Sequence, residues 1–136
     1  MSRGAEGPVG VKMSKLVLIA AAGAAGTLAR YFLGGLVQRL YGGAFPWGTF
    51  AVNMTGTFLF GVVWALAEER LVISGEARAI VLVGFMGAFT TFSTFIFETG
   101  ELLRDSQWAL AIGNLAIQNI TGVIFLILGL AIGRLL

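Results

Sequence analysis

The stretch GFMGAFTTFSTF, residues 84–95, decides the fold, because it lies inside residues 79–97, a segment without a single charged side chain apart from Arg78 just before it and Glu98 just after it. Such a segment approaches the roughly 20 residues that cross a bilayer core as a helix. Yet its middle holds Gly84, Gly87, Thr90, Thr91, Ser93 and Thr94, which weaken a helix and put hydroxyls where no bulk water reaches. A buried polar group left without a partner costs about 1–3 kcal/mol. Backbone, a neighbouring helix or a bound solute must therefore satisfy these groups.

The rest of the chain is of the same kind. Its 136 residues are 57% hydrophobic and 12% charged, with a mean hydropathy of +0.90, the profile of a one-domain integral membrane protein. Nine basic residues give a formal net charge of +2 but are scattered between apolar runs. They read as flanks of membrane helices, not as a nucleic-acid patch. With no Cys and no His, disulfides, thiolate chemistry, imidazole catalysis and the commonest transition-metal sites are excluded.

Four apolar spans emerge, at residues 16–40, 47–67, 79–97 and 108–133, which puts both termini on one side of the membrane. Residues 41–46, with Gly42, Gly43 and Pro46, read as a tight turn. Residues 68–78 and 98–107 carry most of the remaining charge and are expected as water-facing loops. Tyr41, Trp47 and Trp108 sit at span ends, where aromatic rings prefer the headgroup level. Residues 1–13 read as a polar extension, with Met13 as a possible start, and 14–136 as a single four-helix domain. The first apolar run continues past Arg30 without a clear cleavage site, so it is expected to stay.

Lys15, Arg70, Arg78 and Arg134 on the terminal side stand against Arg39 and Arg104 opposite. Counting Arg30 with the second group nearly removes this bias, which predicts insertion in both orientations, whereas Arg3 and Lys12 favour termini inside. Four helices cannot both surround a pathway and seal it from lipid, so a homo-oligomer is expected. The Ala/Gly run at residues 20–26 and the pair Gly129 and Gly133 let helix backbones approach closely.

Few side chains could carry chemistry. Arg30, deep in an apolar helix, either snorkels to an interface and caps carbonyls or attracts an anion. Asn53, among Thr49, Thr55, Gly56 and Thr57, is either interhelical glue or a ligand contact. Asn114, Gln118 and Thr121 fall at i, i+4 and i+7, with Asn119 beside them, and three polar residues on one helical face suggest the wall of a wet path. The third span has no carboxylate pair, no nucleophile with a base and no phosphate-cradling loop followed by a soluble helix, so hydrolytic or transfer chemistry has nothing to run on. A break at its glycines and threonines would free carbonyls for a hard cation and N–H groups for an anion; a packing kink is the other reading. Phe92 and Phe95, at i and i+3, share a face with their rings stacked along it if the chain is helical there, and their electropositive ring edges could meet an anion, although aromatic stripes are more often core. Phe85 and Phe89 are expected in the core either way.

Together these residues resemble the small dual-topology fluoride channels of the Fluc or CrcB family. The likeness runs from Ser14 onward: AGAAGTLARY ending in Arg30 and Tyr31, PWGTFAVNMTGTFLFG with Asn53 at the pore asparagine, and GFMGAFTTFSTF as the most specific element. The resemblance implies an all-α fold of four transmembrane helices with the third broken near its middle, assembled as an antiparallel homodimer with two fluoride pathways. It implies a structural Na⁺ on the dyad held by the backbone carbonyls of Gly87 and Thr90, and ring edges of Phe92 and Phe95 along the path. Asn53 would donate to the ion, Thr91, Ser93 and Thr94 would form a polar track, and Arg30 would serve a structural or vestibule role. Two departures stand out: Asn114, Gln118 and Gly122 replace an aromatic hydroxyl and small hydroxyl residues, and Ala88 replaces a common second Gly.

The expected function is a passive fluoride-selective channel in the prokaryotic plasma (inner) membrane, discharging fluoride that enters as HF. It is not an enzyme, and its partners are fluoride, Na⁺, lipid and a second copy of itself. A small four-helix drug or cation antiporter is the contrasting reading, but it needs a titratable carboxylate within the membrane, and Glu98 is the only near candidate. A non-transporting assembly subunit is the third, and it leaves the Thr-rich stretch unexplained.

Overall fold

A computed structural model describes residue 10 and residues 12–136. Of the extension expected over residues 1–13, residues 1–9 and 11, including Arg3, lie outside the described residues. Helix α1 runs over Met13–Tyr41, drawing on an Ala-rich stretch of high helix propensity. It ends where Gly42 and Gly43 take φ of +62° and +76°, values that only glycine adopts without cost. Gln38 braces the turn: its Nε2 donates to the carbonyls of Gly43 and Phe45, and its Oε1 accepts from the Gly48 N–H at 3.0 Å.

Helix α2 spans Trp47–Trp64 behind Pro46 and continues as a π-helical turn over Ala65–Glu69. Helix α3, Gly75–Ala79, starts on a cap by Ser74, whose Oγ accepts from the Ala77 N–H. A π-helical stretch over Ile80–Met86 follows, then the short α4, Gly87–Phe89. Thr90 and Thr91 are extended, with ψ of 157° and 113°, before α5 begins at Phe92 and runs to Arg104. Helix α6 occupies Trp108–Leu135.

The helical segments overrun the ranges read from charge alone. The third runs over Gly75–Arg104, against an expected 79–97, and the second reaches Glu69. Glu98, Glu101 and Arg104 therefore lie on helix, not in a loop. The physical reason is that the last turns of a spanning helix reach the headgroup layer, where charges are tolerated. Only short links remain between segments. At the terminal side Arg134 makes a paired contact with Glu69, Arg70 donates to the Arg134 carbonyl, and Arg78 pairs with Glu68 beneath the Trp64 ring.

Small residues seat the helices against one another within the chain. A Cβ at Gly84 would stand 2.9 Å from the Ile19 carbonyl oxygen, and one at Gly61 would stand 2.6 Å from that of Leu126, so α1 packs on the π-helical stretch and α2 on α6 backbone to backbone. Gly129 and Gly133 are buried on that second contact. The core between helices holds Val52, Met54, Leu82, Met86, Phe89, Phe95 and Leu102, while Val17, Phe32, Val123 and Ile127 stay exposed on the outside. Four segments have the length and apolarity to cross a membrane, and an apolar exterior is what a lipid environment demands. Phe89 is buried as expected; Phe85 is half-buried and stacks on it at 5.6 Å.

Candidate functional site

The two extended threonines leave backbone groups that no helix satisfies. Asn53, on the facing side of α2, supplies what is missing: its Oδ1 accepts from the Thr91 N–H at 2.9 Å, and its Nδ2 donates to the Thr91 carbonyl at 3.2 Å. The Thr91 N–H is thereby turned away from the Gly87 carbonyl, its partner in an unbroken helix. Thr91 also caps α5, its Oγ1 accepting from the Thr94 N–H at 3.3 Å and donating to the Thr94 hydroxyl at 2.8 Å. Thr90 turns its hydroxyl back onto the Met86 carbonyl at 3.0 Å.

From Asn53 a chain of side-chain hydrogen bonds crosses to α6 and returns to α5. Asn53 Nδ2 donates to Gln118 Oε1, Gln118 Nε2 to Asn114 Oδ1, and Asn114 Nδ2 to Thr99 Oγ1, each at 2.9 Å. The Thr99 hydroxyl closes the chain on the Phe95 carbonyl at 2.8 Å. Asn114 is fully buried, and Thr99 and Gln118 nearly so. Thr121, on the same face of α6, bonds instead to the Ile117 carbonyl and the Met54 sulfur.

Two cavities meet at Thr91. The larger, of about 630 Å³, opens toward the 42–46 turn and is lined by Arg30, Tyr31, Thr49, Thr94 and Glu98 among others. Glu98 Oε1 accepts from the Thr49 hydroxyl at 2.8 Å, while its Oε2 is buried without a partner among the described residues. The smaller, of about 390 Å³, holds Asn53, Thr57, Thr90, Phe92, Phe95 and Gln118. The rings of Phe92 and Phe95 lie 5.9 Å apart and tilted by 56°, so they share a face without stacking.

The residues singled out from sequence thus divide. Asn53, Phe92, Phe95 and Gln118 surround one cavity, Arg30 and Thr94 the other, and Thr91 belongs to both. Asn114 and Ser93 line neither, and Asn114 sits behind the wall it was expected to form. Gly87 is exposed and Thr90 half-buried. Sequence reasoning passed over Thr99 and the pairing of Thr49 with Glu98. The signal for Thr99 was present: it falls four residues after Phe95 and three before Leu102, on the buried face of α5.

No cluster of three or more His, Cys, Asp or Glu able to hold a metal exists among the described residues. What the arrangement offers an ion is backbone and neutral donors: the first N–H groups of α5 with its positive end, amide hydrogens and ring edges.

Four apolar helical segments with an interior chain of amides and hydroxyls, and two cavities that meet at Thr91, define a small multi-pass membrane protein. The chain belongs to the family described as CrcB-like protein, Camphor Resistance (CrcB), whose model matches residues 17–130. It is similar to the fluoride-specific ion channel FluC of Nitrosococcus oceani, with 61% identity over 122 residues, 90% of this chain and 98% of that one. The proteins of the same name from Solidesulfovibrio magneticus and Desulforapulum autotrophicum are 57% and 55% identical, over 91% and 90% of this chain and 99% and 98% of theirs.

Proposed function

We propose that this chain forms a passive, fluoride-selective channel of the prokaryotic inner membrane that lets accumulated fluoride leave the cell. The observation that carries the reading is the 61% identity, over nearly the whole of both chains, to a protein named a fluoride-specific ion channel. The geometry supports it. An anion reaching the smaller cavity from the vestibule beside Arg30 passes Thr91 and meets the Phe92 and Phe95 rings. Ring edges attract an anion weakly, and a narrow path with few strong donors removes water yet still releases the ion, the balance that conduction requires.

The finer architecture belongs to the same proposal. The third membrane helix acts as two halves on either side of Thr90 and Thr91, and the protein works as an antiparallel homodimer inserted in both orientations. The exposed Phe92 ring, 74% accessible in the protomer, then gains a covering partner. Sodium fits the donors available: with the Thr91 N–H committed to Asn53, the Gly87 carbonyl is released, and a hard cation takes such neutral oxygens. Gly87 and Thr90 carbonyls from two copies would hold it, and its charge would offset the anion's. Ser93 and Thr94 extend the polar track on α5.

Glu98 gives the antiporter reading a specific residue, because its Oε2 is buried beside the larger cavity with no partner among the described residues. Efflux from liposomes followed with a fluoride electrode tests the proposal against it. Fluoride leaving without chloride and without an imposed proton gradient supports the channel. No fluoride flux, or equal chloride flux, sinks it.

A further inference from the structure

The side-chain chain from Thr91 to Phe95 has a direction, and backbone sets it at both ends. The Thr91 N–H can only donate, so the Asn53 atom at 2.9 Å is its oxygen and the amide nitrogen faces Gln118. Gln118 must then offer Oε1 to Asn53 and Nε2 to Asn114, and Asn114 must offer Nδ2 to Thr99. The hydroxyl of Thr99 is left to donate to a carbonyl, and the Phe95 carbonyl at 2.8 Å can only accept. Both ends demand the same direction, and none of the three amides can turn over without breaking bonds along the chain.

This leaves one polar hydrogen on Gln118 without a partner among the described residues, on a side chain that lines the cavity of Phe92 and Phe95. Both N–H bonds of Asn53 are engaged. The hydroxyls of Thr57, Thr90 and Thr91 around the cavity already donate elsewhere. Of the other side chains around it, among the described residues, Asn119, exposed at the cavity edge and bonded to the Leu115 carbonyl, keeps a further amide hydrogen. A free glutamine would present oxygen or nitrogen with equal ease, and its oxygen would repel an anion.

We propose that Thr99 and Asn114 are positioning residues that hold the Gln118 amide so that it presents N–H, never oxygen, to a halide in the cavity. The proposal rests on the fluoride-channel reading and adds the device that makes the fourth-helix amide an anion donor. Neither positioning residue touches the ion: Asn114 is fully buried and Thr99 is 4% exposed, and neither lines a cavity.

The test compares Thr99→Val, which keeps shape and removes the hydroxyl, with Thr99→Ser, which restores it. Fluoride flux into liposomes is measured against fluoride concentration, with chloride alongside. Loss of the lock raises the half-saturating fluoride concentration of Thr99→Val by roughly tenfold, the weight of one net hydrogen bond, and lowers preference over chloride; Thr99→Ser returns both toward wild type. A purely structural role would lower the amount of active protein and leave both quantities unchanged. Wild-type fluoride flux together with an unaltered Thr99→Val overturns this proposal alone, whereas absence of wild-type flux overturns the channel reading and the proposal with it. Should Thr99→Val not fold, side-chain amide NMR of the wild-type protein decides. The sequence has three glutamines, and Gln118→Met assigns the signal. One Gln118 amide proton shifting with fluoride and not chloride supports the lock; a pair that fluoride leaves unmoved overturns it.

Discussion

The amide of Asn53 forms two hydrogen bonds with the backbone of one residue on another helix, accepting from the Thr91 N–H at 2.9 Å and donating to its carbonyl at 3.2 Å. A helix interior hides both groups; here the chain is extended and a side chain takes the place of the missing turn. Asn53 is thereby a structural splint as well as a wall residue of the smaller cavity.

Replacing it should affect stability and conduction together. Asn53→Leu leaves the Thr91 N–H and carbonyl without their partner and removes the Gln118 acceptor's donor. The expected loss is about 1–3 kcal/mol in thermal or denaturant unfolding, with fluoride flux falling as well. Full stability with normal efflux would show that another group supplies the splint.

Phe92 and Phe95 should separate in one measurement and agree in another. Phe95 is 4% exposed and Phe92 74%, so Phe95→Ala opens a core cavity and costs about 3–5 kcal/mol, whereas Phe92→Ala leaves the protomer core intact. Both variants should lose most fluoride flux while Phe92→Ala still migrates as wild type on size exclusion. Normal flux in both would remove the ring-edge path.

Much of this was legible in the sequence. Four apolar runs announced four membrane segments, and Asn53, Asn114 and Gln118 announced themselves as amides in apolar surroundings, the last two one turn apart on one face. The segment ends lie beyond the limits that charge suggests, because Glu98, Glu101 and Arg104 belong to α5. What no local pattern carries is which polar groups meet. Asn53 and Thr91 are 38 positions apart, and Asn53 and Gln118 are 65 apart. Thr99 shares the buried face of α5 with Phe95 and Leu102, but the partner of its hydroxyl shows only once Asn114 is placed opposite it.

The close backbone contacts give a prediction independent of ion flow. A Cβ on Gly61 would meet the Leu126 carbonyl oxygen at 2.6 Å and the Leu130 nitrogen at 2.8 Å, neither of which can rotate aside. Gly61→Ala should destabilise by about 1–3 kcal/mol, as overpacking does, read as a lowered thermal midpoint. By contrast Gly113, where an added Cβ would find nothing within 4 Å, should accept Ala without loss.

Sodium should matter through neutral oxygens alone. Protein prepared in potassium buffer free of sodium should show a lower thermal midpoint and reduced fluoride flux, both recovering when Na⁺ is returned. Identical behaviour in the two buffers would count against a cation at the Gly87 and Thr90 carbonyls.

The central claim is passive conduction of fluoride and exclusion of chloride. Current through purified protein in a planar bilayer, under a fluoride gradient, tests it most directly. The account predicts reversal at the fluoride equilibrium potential, unmoved when a chloride gradient or a pH gradient is added. A reversal potential that follows chloride, or one that follows protons as exchange through Glu98 would require, contradicts it.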